Sequence, residues 1–201
     1  SMSGRSDVKA ITISDEVVAD ADFIVTAARP NTTATLANTS FASGGARLLS
    51  VTTAGTGDSG KTTTITGTDT HGNSISEVIT STGSAEAVNG SKYFKTVSSV
   101  VCSTQYAANI TVGSQASAAQ AVFTERMRLK GFSLVSGGTA GVIQFYDNTP
   151  EDGSVLFKSR TVGTDNTTVD RTIPEDGILF PNGMVVQYTV ATIDMMTFFY
   201  A

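Results

Sequence analysis

The stretch Gly55-Thr56-Gly57-Asp58-Ser59-Gly60-Lys61-Thr62 matches the phosphate-binding loop spacing G-x-x-x-x-G-K-[ST] at every fixed position. In such a loop, backbone amides cradle the phosphates, the lysine reaches the outer ones and the hydroxyl holds magnesium. The chemistry needs a buried strand leading in and a helix starting at the Lys-Thr pair, so that the helix amides face the anion. Leu48 to Thr53 is an acceptable lead-in. The follow-on, Thr62-Thr63-Thr64-Ile65-Thr66-Gly67, is β-branched and ends in glycine, which disfavours a helix. No later apolar run ends in an aspartate placed to hold magnesium. The segment therefore reads as a hairpin turn, with nucleotide binding as the alternative.

His71 is the one histidine, which excludes a histidine-based metal cluster. It lies in a turn between Asp69 and Asn73 and reads as a surface residue; an ion ligand is the other reading. Serine or cysteine nucleophiles would need His71 as their base, and no nucleophile-elbow pattern surrounds the nearby serines. Carboxylate pairs occur at Asp15/Glu16, Glu151/Asp152 and Glu175/Asp176. Glycosidases use two carboxylates across a cleft, but such clefts are commonly walled by aromatics and the chain has no tryptophan. Each pair also sits beside a turn or cap signal, and no D-x-[DN]-x-[DN]-G calcium loop is present. A cation bound by loop carboxylates is the weaker alternative. The single cysteine, Cys102, follows Val100-Val101 and reads as a small buried hydrophobe. No catalytic, cofactor-binding or metal residue is assigned, and the chain is expected not to be an enzyme.

The elements that would carry these residues are strands. The chain has 201 residues, 40% hydrophobic and 15% charged, with a net charge of −5. The missing charge is replaced by Thr, Ser, Gly and Asn, which favour pleated surfaces and turns. An acidic balance argues against general nucleic-acid binding. The basic cluster Arg126, Arg128 and Lys130 has strand-face spacing; it reads as a solvated face, or else as a contact for an acidic partner. No apolar run reaches the length of a membrane span, and neither nucleic acid nor membrane is expected as a partner. No leader pattern is visible near the start. Ser1 ahead of Met2 reads as a cloning remnant. The Asn-x-Ser/Thr sites read as by-products of composition.

Short alternating segments recur between turn signals. Strands are expected at Val8–Ile13, Asp22–Thr26, Arg47–Thr53, Lys61–Thr66, Ser74–Thr80, Tyr93–Cys102, Asn109–Val112 and Ala121–Thr124. The second half adds Met127–Ser136, Val142–Asp147, Ser154–Ser159, Thr167–Ile173, Met184–Val190 and Met195–Tyr200. Residues 29–45 read as loop with a short extended piece, and Asp15–Ala21 as one short helix capped by Ser14. Ser114–Ala121 is small and polar, a linker or one helical turn. The expected fold is all-β: two small antiparallel β-sandwiches, Ig-like or jelly-roll-like, in tandem over residues 1–120 and 121–201.

The C-terminal run Met195-Met196-Thr197-Phe198-Phe199-Tyr200 is apolar on both faces. It reads as a central sandwich strand or as a contact strand between subunits, with Met195, Met196, Phe198, Phe199 and Tyr200 as the candidate interface.

Two stretches carry a resemblance. Ile65-Thr66-Gly67-Thr68-Asp69-Thr70-His71-Gly72-Asn73-Ser74-Ile75-Ser76-Glu77 resembles a hairpin of tailed-phage virion proteins of the form hxGTDxxGNxhxE, followed here by Lys92 to Val97. The second half is similar to small phage structural modules through Leu129-Lys130-Gly131-Phe132, Gly138 to Phe145, and Ile173-Pro174-Glu175-Asp176-Gly177-Ile178-Leu179-Phe180-Pro181-Asn182-Gly183-Met184, the pattern IPxxGIxFxNGhxV. Together they cover roughly residues 48–112 and 127–200. The resemblance implies a virion structural protein: a capsid decoration, neck or tail component, assembled in the host cytoplasm. Its partners would be copies of itself, often as trimers, and other virion proteins such as the major capsid protein. It carries over no catalytic residue and no cofactor. The alternative function is a carbohydrate- or receptor-binding β-module of a phage fibre, whose aromatic platform would come from Tyr106, Phe145, Tyr146 or Tyr188.

Overall fold

The computed structural model describes residues 7–14, 19–115, 119–148, 155–189 and 191–201. These form sixteen strands and no helix, arranged as small antiparallel sheets in two compact units. One unit is Val18–Gln120; the other joins Ser1–Val17 to Ala121–Ala201. The sequence reading divides the chain into residues 1–120 and 121–201. The first strand, β1 (Lys9–Ile13), departs from it, because it pairs along the last strand of the chain and belongs with the C-terminal unit. Five residues without a turn signal carry no mark of which sheet they join.

In the Val18–Gln120 unit, β2 (Val25–Ala28), β8 (Ile110–Ser114), β3 (Arg47–Thr53) and β6 (Ala87–Phe94) form one sheet in that order. The other sheet is β5 (Ser74–Thr80), β4 (Thr62–Thr68) and β7 (Thr96–Cys102). Strict alternation explains β4: Thr63 and Ile65 are buried, while Thr62, Thr64, Thr66 and Thr68 are half-exposed on the other face. Ile65 meets Leu49, Val51, Phe94, Val100 and Val112 in the core. Residues 29–45 run along β7, bridging through Thr33 to Val101 and Ser40 to Thr96, and so cover a sheet edge that would otherwise be open.

The expected single strand Tyr93–Cys102 is two strands, broken at Lys95. There the Lys95 ammonium donates to the carbonyls of Phe41, Ala42 and Gly44, pinning the covering segment. Asn89-Gly90 lies inside β6, which begins ahead of the expected strand start at Tyr93.

In the other unit, β1, β16 (Ile193–Tyr200), β10 (Met127–Ser136) and β13 (Thr168–Thr172) form a sheet in that order, with β14 (Ile178–Phe180) also on β10. The second sheet runs β12 (Val155–Arg160), β11 (Val142–Asp147), β15 (Met184–Gln187) and β9 (Ala119–Phe123). A bulge around Lys130 shifts the inward set of β10 by one residue, from Met127 and Leu129 to Phe132 and Leu134. These pack with Ile143, Phe145, Met184, Val186, Met196 and Phe198 between the sheets. The Phe145 ring stacks on Phe157 at 4.1 Å and meets Phe198 edge-on at 6.1 Å; each such pair adds about 1 kcal/mol beyond the area it buries. The expected helix at Asp15–Ala21 falls largely outside the described residues, as does part of Ser114–Ala121.

Candidate assembly surface

The phosphate-loop match is built as a turn between β3 and β4. Thr62 opens β4, so a strand begins where the loop chemistry needs a helix. Lys61 is engaged: its Nζ lies 2.8 Å from Asp58 Oδ1 and donates to the Gln105 carbonyl at 2.8 Å. Asp58 Oδ1 also accepts the Ala107 amide at 2.7 Å. Burial alone would raise the Asp58 carboxyl. The hydrogen bond from Lys61, the Ala107 amide and the charges of Lys61 and Arg29 outweigh it and hold the carboxyl below its ordinary range. Tyr106 closes the cluster, its hydroxyl 2.9 Å from Thr63 Oγ1.

His71 is exposed in the β4–β5 turn, and its amide donates to Asp69 Oδ1 at 2.8 Å. Glu175 and Asp176 occupy the exposed turn between β13 and β14, where the Lys130 ammonium donates to the Glu175 carbonyl. The pairs Asp15/Glu16 and Glu151/Asp152 lie outside the described residues. Among the described residues no group of three or more His, Cys, Asp and Glu side chains is placed to hold a metal ion. Cys102 is buried against Tyr106 and Ile110, and burial pushes its thiol up. Of the basic cluster, Arg126 is exposed ahead of β10, while Arg128 and Lys130 are half-buried on it. The aromatic platform is a correction: Tyr106, Phe145, Tyr146 and Tyr188 are all buried, three of them holding core positions that the sequence pattern does not distinguish from a surface display.

The hairpin motif is explained residue by residue as architecture. Asp69 Oδ1 accepts the amides of His71 and Asn73, and Asn73 Nδ2 donates to its other oxygen at 3.2 Å. Gly72 takes φ +80°, a conformation that favours glycine. Glu77 Oε2 accepts the amides of Ser91 at 2.7 Å and Lys92 at 3.2 Å, tying β5 to β6. The Glu77 carboxylate rests on Gly90, leaving no room there for a side chain, which is why an Asn-Gly pair sits in a strand. The second motif behaves alike: Asp147 accepts the amide and side chain of Asn182, fixing the turn before β15.

The C-terminal strand divides its five candidates. Met196 and Phe198 are core residues, and Tyr200 packs on that core with its ring 4.5 Å from Phe123. These three fill their own unit and are removed from the candidate interface. Met195 and Phe199 alternate to the outer face, each 39% exposed. Phe199 is flanked in register by Gly131 on β10 and Ala10 on β1, so no large neighbour covers its ring. Val8, 55% exposed, lines the same groove as Phe199 and Gly131, a depression of about 700 Å³. Lys130, Arg171, Asp170 and Glu175 also line it, two cations and two carboxylates. Thr12 and Thr197 share a hydrogen bond of 2.9 Å beside it. The surface is an apolar strip on a twisted sheet with charges of both signs alongside, suited to packing against a protein.

Comparison of the chain with protein-family models, with curated proteins and with solved structures finds no match.

Proposed function

We propose that this chain is a structural protein of a tailed-phage particle, acting by assembly with copies of itself and with other virion proteins rather than by chemistry. The observation that carries the reading is the outer face of the β1-β16-β10-β13 sheet, where Val8 and Phe199 stand exposed beside both signs of charge and Met195 is exposed further along β16. Exposed apolar surface of this kind marks interaction sites. A patch with two cations and two carboxylates offers charges of both signs to a second copy rotated onto it by a two-fold axis. Elsewhere an acidic chain of net charge −5 repels its copies. The hairpin and the IPxxGIxFxNG resemblance support placing that assembly in a virion. Sedimentation velocity over a range of concentrations tests the self-association. Mass rising above the 20.8 kDa of one chain supports it, and a fixed monomer throughout contradicts it.

A further inference from the structure

Around β13 from that face lies a second groove of about 300 Å³, where two sheet edges come together. β12 ends its sheet, paired only with β11, and β13 ends the facing sheet, paired only with β10. Among the described strands nothing pairs with the outer edge of either, so each presents backbone donors and acceptors that an added strand satisfies. The groove is apolar: Phe157, Ile173, Pro174 and Ile178 line it, and Phe157 is held in place by its stack on Phe145. Its charged lining residues are Lys158 and Arg171, both exposed, with no carboxylate among the described residues that line it. On a chain of net charge −5, this is a cationic apolar slot beside open strand edges.

We propose that this groove is a docking site for an extended peptide segment of alternating apolar and acidic residues, supplied by a partner protein. The segment adds to β12 as a further strand, its apolar side chains resting on Phe157 and Ile173 and its carboxylates meeting Lys158 and Arg171. Backbone pairing gives affinity to any extended chain, and the two cations select the acidic one. Lysine on an edge strand also guards against unwanted pairing. A guard alone predicts that neither an acidic nor a basic strand binds at the edge.

The probes are two fluorescein-labelled octapeptides, one alternating valine with glutamate and one alternating valine with lysine. Both are titrated with the full chain by fluorescence anisotropy at about 0.15 M salt, where charge contacts beyond about 8 Å are screened. The expected result is binding of the glutamate peptide at least about tenfold tighter than the lysine peptide. Lys158→Glu with Arg171→Glu then reverses the preference, and Lys158→Gln with Arg171→Gln abolishes it. Lys158 lies outside the assembly surface, so Lys158→Glu alone is expected to weaken the preference at the wild-type mass and melting temperature; Arg171 lines both grooves, so mass is measured with melting temperature for every variant. Absence of binding by either peptide, equal binding of both, or a preference unchanged in the variants overturns the proposal.

Discussion

The carboxylate of Asp58, wholly buried, lies 2.8 Å from the ammonium of Lys61 three residues on. That contact converts the lysine of a phosphate-loop spacing into the partner of an interior acid. Lys61→Ala leaves the buried Asp58 charge held by the Ala107 amide and is expected to cost about 2 kcal/mol in urea denaturation. Equilibrium dialysis against ATP and GTP is expected to show no saturable binding. An affinity that disappears in Lys61→Ala would restore the phosphate-loop reading.

Asp58 also sets an acid dependence. Its native carboxyl binds a proton less readily than in the unfolded chain, because Lys61 and the Ala107 amide outweigh the effect of burial. The contribution is fully present above the unfolded value, near ~4, and is lost as pH falls through the lower native value. Asp58→Asn removes it. Stability measured from pH 6 to pH 2 is expected to fall less steeply at the acid end in the variant, and parallel curves would count against the assignment.

The glycines of the hairpin are predicted to differ in cost. A methyl group at Gly67 meets the Thr96 carbonyl and the adjoining backbone of β7, so Gly67→Ala forces two strands apart. Gly72→Ala meets nothing and carries only the strain of φ +80°. Expected losses are about 3 kcal/mol for Gly67→Ala, at the upper end for overpacking, and about 1 kcal/mol for Gly72→Ala. Thermal melts giving the reverse order would sink this account of the motif.

Glu77 closes the same motif by accepting the Ser91 and Lys92 amides. Glu77→Ala leaves those amides to water and is expected to cost about 1 kcal/mol, with faster amide exchange at Ser91 and Lys92. Unchanged exchange there would show that the tie carries no weight.

Most strands were readable because alternation and turn residues act locally. Arg47–Thr53, Ser74–Thr80, Met127–Ser136 and Val142–Asp147 have the bounds that their sequence predicts. What was not readable depends on distant partners. Gly90 looks like a turn until Glu77, thirteen residues earlier, is brought onto it. The break at Lys95 exists because carbonyls of residues 41–44 collect its ammonium. β1 joins a strand at the far end of the chain. The candidate surface was half legible: an apolar C-terminal strand was evident, but its alternation had to be set in register before Met196 and Phe198 could be separated from Met195 and Phe199.

That separation leads to the central claim, that the chain assembles through the outer face of the β1-β16-β10-β13 sheet. The direct measurement is the light-scattering mass of the wild-type chain beside Phe199→Glu, a substitution at a half-exposed position that leaves the core intact. The account predicts a wild-type mass that is a multiple of 20.8 kDa and a folded variant at 20.8 kDa. A monomeric wild type, or a variant that keeps the wild-type oligomer, would contradict it.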